Sequence, residues 1–168
     1  MSEPVVIRRL TTDDAMQYRT LRLHGLSHEP TAFGDDYDEA IKRPDDFWIR
    51  ALDKHGIHFG AFAGAELIAK ANYSALPGRK LRHRAFVYGV YVHPDFVSRG
   101  IGALVLTALA EHARGEGVTQ LHLGVAADNE PAKALYTKLG YKPYGHEPSA
   151  IRLPDRDIDE ILMIKMLG

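Results

Sequence analysis

The segment from Val90 to Leu106, VYVHPDFVSRGIGALVL, holds the residues best suited to chemistry. A buried strand runs into a Pro94 turn, then a loop carrying Gly100 and Gly102, then the start of an amphipathic helix. The first N–H groups of a helix lack partners, and the helix dipole adds a partial positive charge there. Gly100 and Gly102 put no side chain between that backbone and a ligand. Such a helix start suits a phosphate or pyrophosphate.

The spacing discriminates among phosphate-binding patterns. A P-loop requires Lys and Ser or Thr directly after its last glycine, and none follows Gly102. A dinucleotide fingerprint requires a third glycine and an acid about twenty residues on. Leu104 and Val105 follow instead, and residues 120–123 carry no carboxylate. On two glycines alone, a plain strand-to-helix turn stays open.

A second constellation lies downstream. Residues 120–125 alternate, with Leu121, Leu123 and Val125 on one face, which reads as a strand. Asp128-Asn129-Glu130-Pro131 has the chemistry of a helix start. Ala132, Leu135, Tyr136 and Leu139 recur at helical spacing, and Gly140 ends the helix.

The first segment resembles motif A of the GNAT N-acetyltransferase superfamily, Arg/Gln-x-x-Gly-x-Gly/Ala, with Gly100 and Gly102 as its glycines. Val97 stands where the family has Arg or Gln, and Arg99 offers a positive charge two residues later. The second segment resembles motif B, here Asn129, Ala132, Leu135, Tyr136, Gly140 and Tyr141, with Tyr141 for the usual Phe. The resemblance implies acetyl-CoA as co-substrate and no metal. Amides of Ser98, Arg99, Gly100, Ile101, Gly102 and Ala103 would hold the pyrophosphate. The main chain from Val90 through Tyr91 to Val92 would pair with the pantetheine arm as an added strand does. Asn129 and Ala132 would order the pantetheine pocket, although Asn129 also suits an ordinary helix cap. Tyr136 would serve the leaving thiolate as acid, against the alternative of a core aromatic. The Val92 amide would steady the oxyanion.

The implied reaction is direct attack of a primary amine on a thioester in a ternary complex. An alkylamine of pKa about 10.4 is neutral in roughly one molecule in two thousand at pH 7, a cost of about 4.6 kcal/mol. Proton transfer from a phenol to a thiolate is uphill in water by about 2 kcal/mol. No acyl-cysteine can form, because the chain has no Cys. The general base stays open among Tyr88, His122, Glu147 and a water chain. The family's carboxylate near the position of Gly89 is missing. Phe33, Tyr73, Tyr88 and Glu147 are the expected acceptor-binding residues, with Tyr37 and Trp48 as further aromatics; core packing is the alternative for Phe33, Tyr37, Trp48 and Tyr73. Asp35, Asp36, Asp38 and Glu39 suit either a cationic amine or a helix start.

These groups need a scaffold. Residues 5–10 read as a strand, and residues 11–14 cap a helix containing Met16, Leu21, Leu23 and Leu26. Residues 29–34 break it, residues 35–42 form a short helix, and Pro44 begins another. Residues 57–63 and 67–75 form a hairpin about Gly64. Residues 85–92 are apolar on both faces and predict a covered central strand, with Gly89 marking a bulge. A helix over 101–114 leads to the strand at 120–125. Residues 141–143 start another extended segment, and residues 151–153 and 158–167 close the chain as an antiparallel pair.

The expected fold is α/β over a single domain, 1–168. A mixed, mostly antiparallel sheet has a central parallel strand pair splayed at the CoA site and helices on both faces. Lys and Arg total 21 against 22 Asp and Glu, without the basic stripe of a nucleic-acid surface. No apolar run suits a membrane span or signal peptide, so a cytoplasmic enzyme is expected. His24 and His28 lie four apart without a third ligand, so no metal is expected. The leading reading is acetylation of a small-molecule amine. Alternatives are acetylation of a protein N-terminus or lysine, and a non-catalytic acyl-CoA sensor. A homodimer is a family-level expectation.

Overall fold

The computed structural model describes residues 3–168. They form a seven-stranded sheet: β1 (Val5–Arg9), β2 (Ile57–Ala63), β3 (Glu66–Ala75), β4 (Arg84–Val92), β5 (Gln120–Ala126), β6 (Lys142–Arg152) and β7 (Asp157–Met166), in the order β1-β2-β3-β4-β5-β7-β6. Every neighbouring pair is antiparallel except β4 and β5. One face carries α1 (Ala15–His28), α2 (Tyr37–Ala40) and α3 (Asp45–Lys54). The other carries α4 (Ile101–Gly115) and α5 (Glu130–Lys138). Each face buries its own apolar cluster, so both sides of the sheet drive folding.

The helix ends follow the capping chemistry of the sequence. Asp14 accepts the Thr11 N–H at 2.8 Å and takes two hydrogen bonds from Arg8. Asn129 Oδ1 accepts the Ala132 N–H at 3.2 Å at the start of α5. At its end, Tyr141 N–H donates to the Tyr136 carbonyl and Gly140 N–H to that of Thr137, a Schellman closure. In α4, Val105, Leu106, Leu109 and Ala113 fall on one buried stripe, which seats the helix on β2 and β3.

The parallel pair is short. Arg84, Ala85 and Phe86 pair with Gln120, Leu121 and His122, and beyond Phe86 the two strands part. β5 stays paired with β7 as far as Ala126, so β4 is the strand that leaves. The cause lies on its other edge. The β3–β4 register passes from Lys70–Tyr91 to Asn72–Tyr88, leaving Gly89 and Val90 together opposite Ala71. Gly89 adopts φ +64°. A Cβ there would come within 2.5 Å of Asn72 Oδ1 and 3.0 Å of Lys70 Nζ. Lys70, buried beneath the bulge, donates from Nζ to the Gly89 carbonyl at 2.7 Å. A bulge bends its strand and tightens its twist, which opens a wedge between β4 and β5.

Three elements differ from the sequence reading. β4 is not covered on both faces: Phe86 is 37% and Tyr88 45% exposed. α1 covers only the far end of that face, where Gly25 lets its backbone approach the Tyr91 ring. β6 runs unbroken from Lys142 to Arg152 despite Pro143, Gly145 and Pro148. It lies at the sheet edge, where prolines and two register shifts are tolerated. α2 is only four residues long. Among the described residues no helix is long and apolar enough to cross a membrane.

Candidate active site

One cleft of about 1280 Å³ follows the wedge from the start of α4 to the α1 face of the sheet. Its first wall is the loop before α4. Ser98 has φ +63° and Gly100 φ +74°, so the chain alternates hand as it enters the helix. The first helical bond from this end runs from the Leu104 N–H to the Gly100 carbonyl. Among the described residues, the N–H groups of residues 98–103 have no main-chain acceptor, and Gly100 supplies no side-chain cap. Nothing lies within 4 Å of where a Gly100 Cβ would be, so the approach is open. A run of outward amides at the positive end of a fifteen-residue helix is an anion nest. The donor set therefore fits a diphosphate.

Ser98, Gly100, Ile101, Gly102 and Ala103 line this wall. Arg99 does not: its guanidinium lies 5.2 Å from the centre of the Phe96 ring. The Val97 amide donates weakly to the Pro94 carbonyl at 3.4 Å, within the preceding turn. A charge on Arg99 thus stands beside the nest, while the nest itself is made of backbone.

The second wall is the freed edge of β4. His93 N–H donates to the Ile68 carbonyl on β3 at 2.8 Å. Amides alternate between the two edges of a strand, so the Val92 N–H points away from β3, into the wedge. Val90, Tyr91 and Val92 all border the cleft, although the Tyr91 side chain turns into the α1 cluster. There its hydroxyl hydrogen-bonds His24 Nδ1 at 2.7 Å. His24 also stacks on His28, with ring centroids 3.9 Å apart.

The third wall is α5, with Asn129, Ala132, Leu135 and Tyr136 on the cleft. Tyr136 is a core aromatic that also reaches the cleft. It is 7% exposed within the core cluster and packs edge-on against Tyr141, yet it borders the cleft. Burial, with a smaller contribution from Glu29, pushes its hydroxyl well above the usual phenol range. The group therefore stays protonated throughout the working pH range and can act as a donor. Asn129 is a helix cap that also borders the cleft.

The acceptor half differs more from expectation. Phe33 and Tyr88 line it, joined by Tyr18, Arg22, Asn72 and Phe86. Tyr73 does not. It is 2% exposed on the α4 face, its hydroxyl bonded to His112 Nδ1 at 2.8 Å, and burial pushes its pKa up to about 12. Strand parity decides this, because Tyr73 falls on the face that packs against α4. Glu147 is also misplaced: it sits exposed on the edge strand β6, outside the cleft. His122 is buried between Gln120 and the Tyr144 hydroxyl, away from the cleft, with its pKa lowered by burial. Trp48 is a core residue, 1% exposed. Asp35 is held by Arg43 and Arg22, Asp36 caps α2, and neither borders the cleft.

The cleft carboxylates are Glu29, Asp128 and Glu160, none of which the sequence marked as a site residue. Glu160 is half-buried and its pKa is raised, first by burial and then by Glu147 opposite. The alternation of β7 was the available signal. Placing Glu160 on the cleft side of the sheet required the β5–β7 register.

The assembled features can hold a diphosphate on backbone amides, offer one amide and one phenol to a reacting carbonyl and its leaving group, and admit a second molecule from the α1 face.

The acetyltransferase (GNAT) family matches residues 20–141. The N-alpha-acetyltransferase RimI of Mycobacterium tuberculosis is 34% identical over 145 residues, 86% of this chain and 82% of that one. The fold superposes on an acetyltransferase of the GNAT family from Streptococcus pneumoniae with a TM-score of 0.87, at 24% identity, covering 98% of this chain and 100% of the other. It superposes on yncA of Salmonella typhimurium, solved with its cofactor acetyl-CoA, with a TM-score of 0.85 at 19% identity, covering 98% and 94%.

Proposed function

Because the chain belongs to the GNAT acetyltransferase family, we propose that residues 1–168 work as one domain that transfers an acetyl group from acetyl-CoA to the primary amine of a small molecule. The observation that carries this reading is the wedge. It joins the unpartnered amides before α4, the Val92 N–H and Tyr136 in one continuous cleft. Acetyl-CoA supplies the activated acyl group.

The protein's own groups have the following tasks. Amides of residues 98–103 bind the diphosphate. The edge of β4 from Val90 to Val92 aligns the pantetheine as a further strand would be aligned. The Val92 N–H donates to the carbonyl oxygen as negative charge builds on it. Tyr136 donates a hydrogen bond to the departing sulfur. Burial raises its pKa, so full transfer to a thiolate is harder than the roughly 2 kcal/mol needed in water. The proton therefore passes only as charge develops on sulfur. Tyr88, Phe86 and Phe33 supply an apolar bed for the acceptor.

A compact acceptor is favoured by the 3-10 turn Pro30–Ala32, which lies against β5 across the acceptor half. A second reading, acetylation of a protein N-terminus, draws on the similarity to RimI. Both acceptors present the same primary amine. Free-thiol release from acetyl-CoA, measured across amines, polyamines, amino acids and peptides, separates them. Turnover with compact amines at least as fast as with peptides supports the first reading. A strong preference for peptides overturns it in favour of the second. No turnover with any acceptor, alongside measurable CoA binding, leaves a sensor.

A further inference from the structure

Of the three cleft carboxylates that the tasks above leave unused, one is set apart by its place over the sheet. We propose that Glu160 is the general base that takes the proton from the attacking amine; the inference rests on the acetyltransferase reading. Glu160 stands on β7 opposite Ala126 of β5, so its side chain shares the face of His122 and Gly124. Phe86 pairs with His122, which places Phe86 and Tyr88 on that same face, the acceptor side of the wedge. The carboxylate does not stay over its own strand. It leans across β5 to where a Gly124 Cβ would stand, with Oε1 3.0 Å from that point. Only a residue without a side chain at position 124 leaves this space. Both Gly124 and Glu160 border the cleft that also holds Val92 and Tyr136.

The surroundings leave the carboxylate unclaimed. Gly124 and Ala126 on β5 carry no charge. On β6 the residue opposite is Glu147, a like charge. Its chain neighbour Asp159 is held by His146 and by the Ser149 N–H. The cleft is lined further by the acids Glu29 and Asp128, by Arg22, which Asp35 holds, and by His28, His55 and His58. No cation contributes to the titration of Glu160; burial and Glu147 both raise it. A carboxylate so placed attracts an ammonium and is a stronger base than an ordinary surface glutamate.

The step balances as follows. The ammonium gives one proton to solvent, and the neutral amine nitrogen then bonds to the acyl carbon, moving the carbonyl π pair onto oxygen and making its remaining N–H acidic. That proton passes to a Glu160 carboxylate oxygen, directly or through one water. The carbon–sulfur bond breaks, and the sulfur takes a proton from Tyr136. Solvent then restores both side chains.

The test uses the whole chain with acetyl-CoA and the best acceptor from a panel of tyramine, spermidine and an alanine-initiated tetrapeptide. In the parent, kcat/KM rises with pH through a limb above the ordinary carboxylate range, as Glu160 loses its proton. Glu160→Gln should lower kcat/KM about 100-fold or more and abolish that limb. CoA affinity by calorimetry should stay unchanged. Glu160→Asp should keep the limb at reduced rate. Glu147→Gln should move the limb to lower pH by removing the neighbouring charge. If Glu160→Gln keeps the parent rate and limb, the proposal falls while the acetyltransferase reading stands. Loss of the limb in Glu29→Gln instead would transfer the role to Glu29. A parent that binds CoA but acetylates none of the panel would undo the underlying reading rather than this assignment.

Discussion

Replacing Gly89 by Ala tests the device that opens the wedge. Two penalties follow from the geometry. The left-handed φ of +64° costs an L-residue with a side chain about 1–2 kcal/mol. The new methyl would also stand 2.5 Å from Asn72 Oδ1 and 3.0 Å from Lys70 Nζ. Both side chains are buried, at 4% and 3% exposure, so neither can swing into solvent. Lys70 is further tied to the Gly89 carbonyl, so its retreat breaks the bond that holds the bulge. Overpacking of this kind costs about 1–3 kcal/mol. The stiffer unfolded chain returns at most about 1 kcal/mol. The net expectation is a loss of about 3 kcal/mol, or a fall in melting temperature of roughly 6–12 °C for a chain of this length. Catalysis should fall further than stability, measured well below the melting point, because the Val92 amide moves with the bulge. Gly102→Ala is the stability control: its Cβ would meet Leu135 and Val92 at ordinary distances of 3.4 and 3.5 Å. Thermal unfolding and kcat/KM measured together decide the matter. A Gly89→Ala protein melting within about 2 °C of the parent, with the parent's kcat/KM, would refute the account of the bulge.

Other outcomes follow from the same geometry. Tyr136→Phe should lower kcat about 100-fold or more, with CoA affinity within about threefold of the parent; an unchanged rate removes Tyr136 as the acid. Gly102→Glu should weaken CoA binding about tenfold or more in calorimetry, since the Cβ fits between Leu135 and Val92 and the added carboxylate reaches the anion nest. Unaltered affinity would locate the diphosphate elsewhere. His58 is buried and neutral, its pKa lowered to about 4 chiefly by burial. Its unfolded form binds a proton near pH 6.5, so its contribution is complete above that pH and is lost as pH falls towards 4. Urea unfolding should show about 2 kcal/mol less stability at pH 5 than at pH 8 from this residue. His58→Gln should flatten that difference, and an equal pH dependence in the variant would count against a buried neutral His58.

Local patterns were enough to read the parts of this protein that depend on neighbours in the chain. The Gly100 loop, the Asn129 cap, the Gly140 closure and the stripe of α4 are all settled within a few residues, by backbone donors and helical spacing. So is the presence of a bulge at Gly89, although not the Lys70 bond beneath it. Residues whose role depends on pairing between distant strands were not legible in this way. Tyr73 suits a pocket or a core equally well until the β3 register turns it towards α4. Glu147 and Glu160 are equivalent acids by sequence, yet one sits on a solvent edge and the other leans into the cleft. Gly124 gives no signal until β7 brings a carboxylate over it. The physical reason is the period of two in a strand: one step of register exchanges the faces of the sheet, and that step is decided only when the whole sheet assembles.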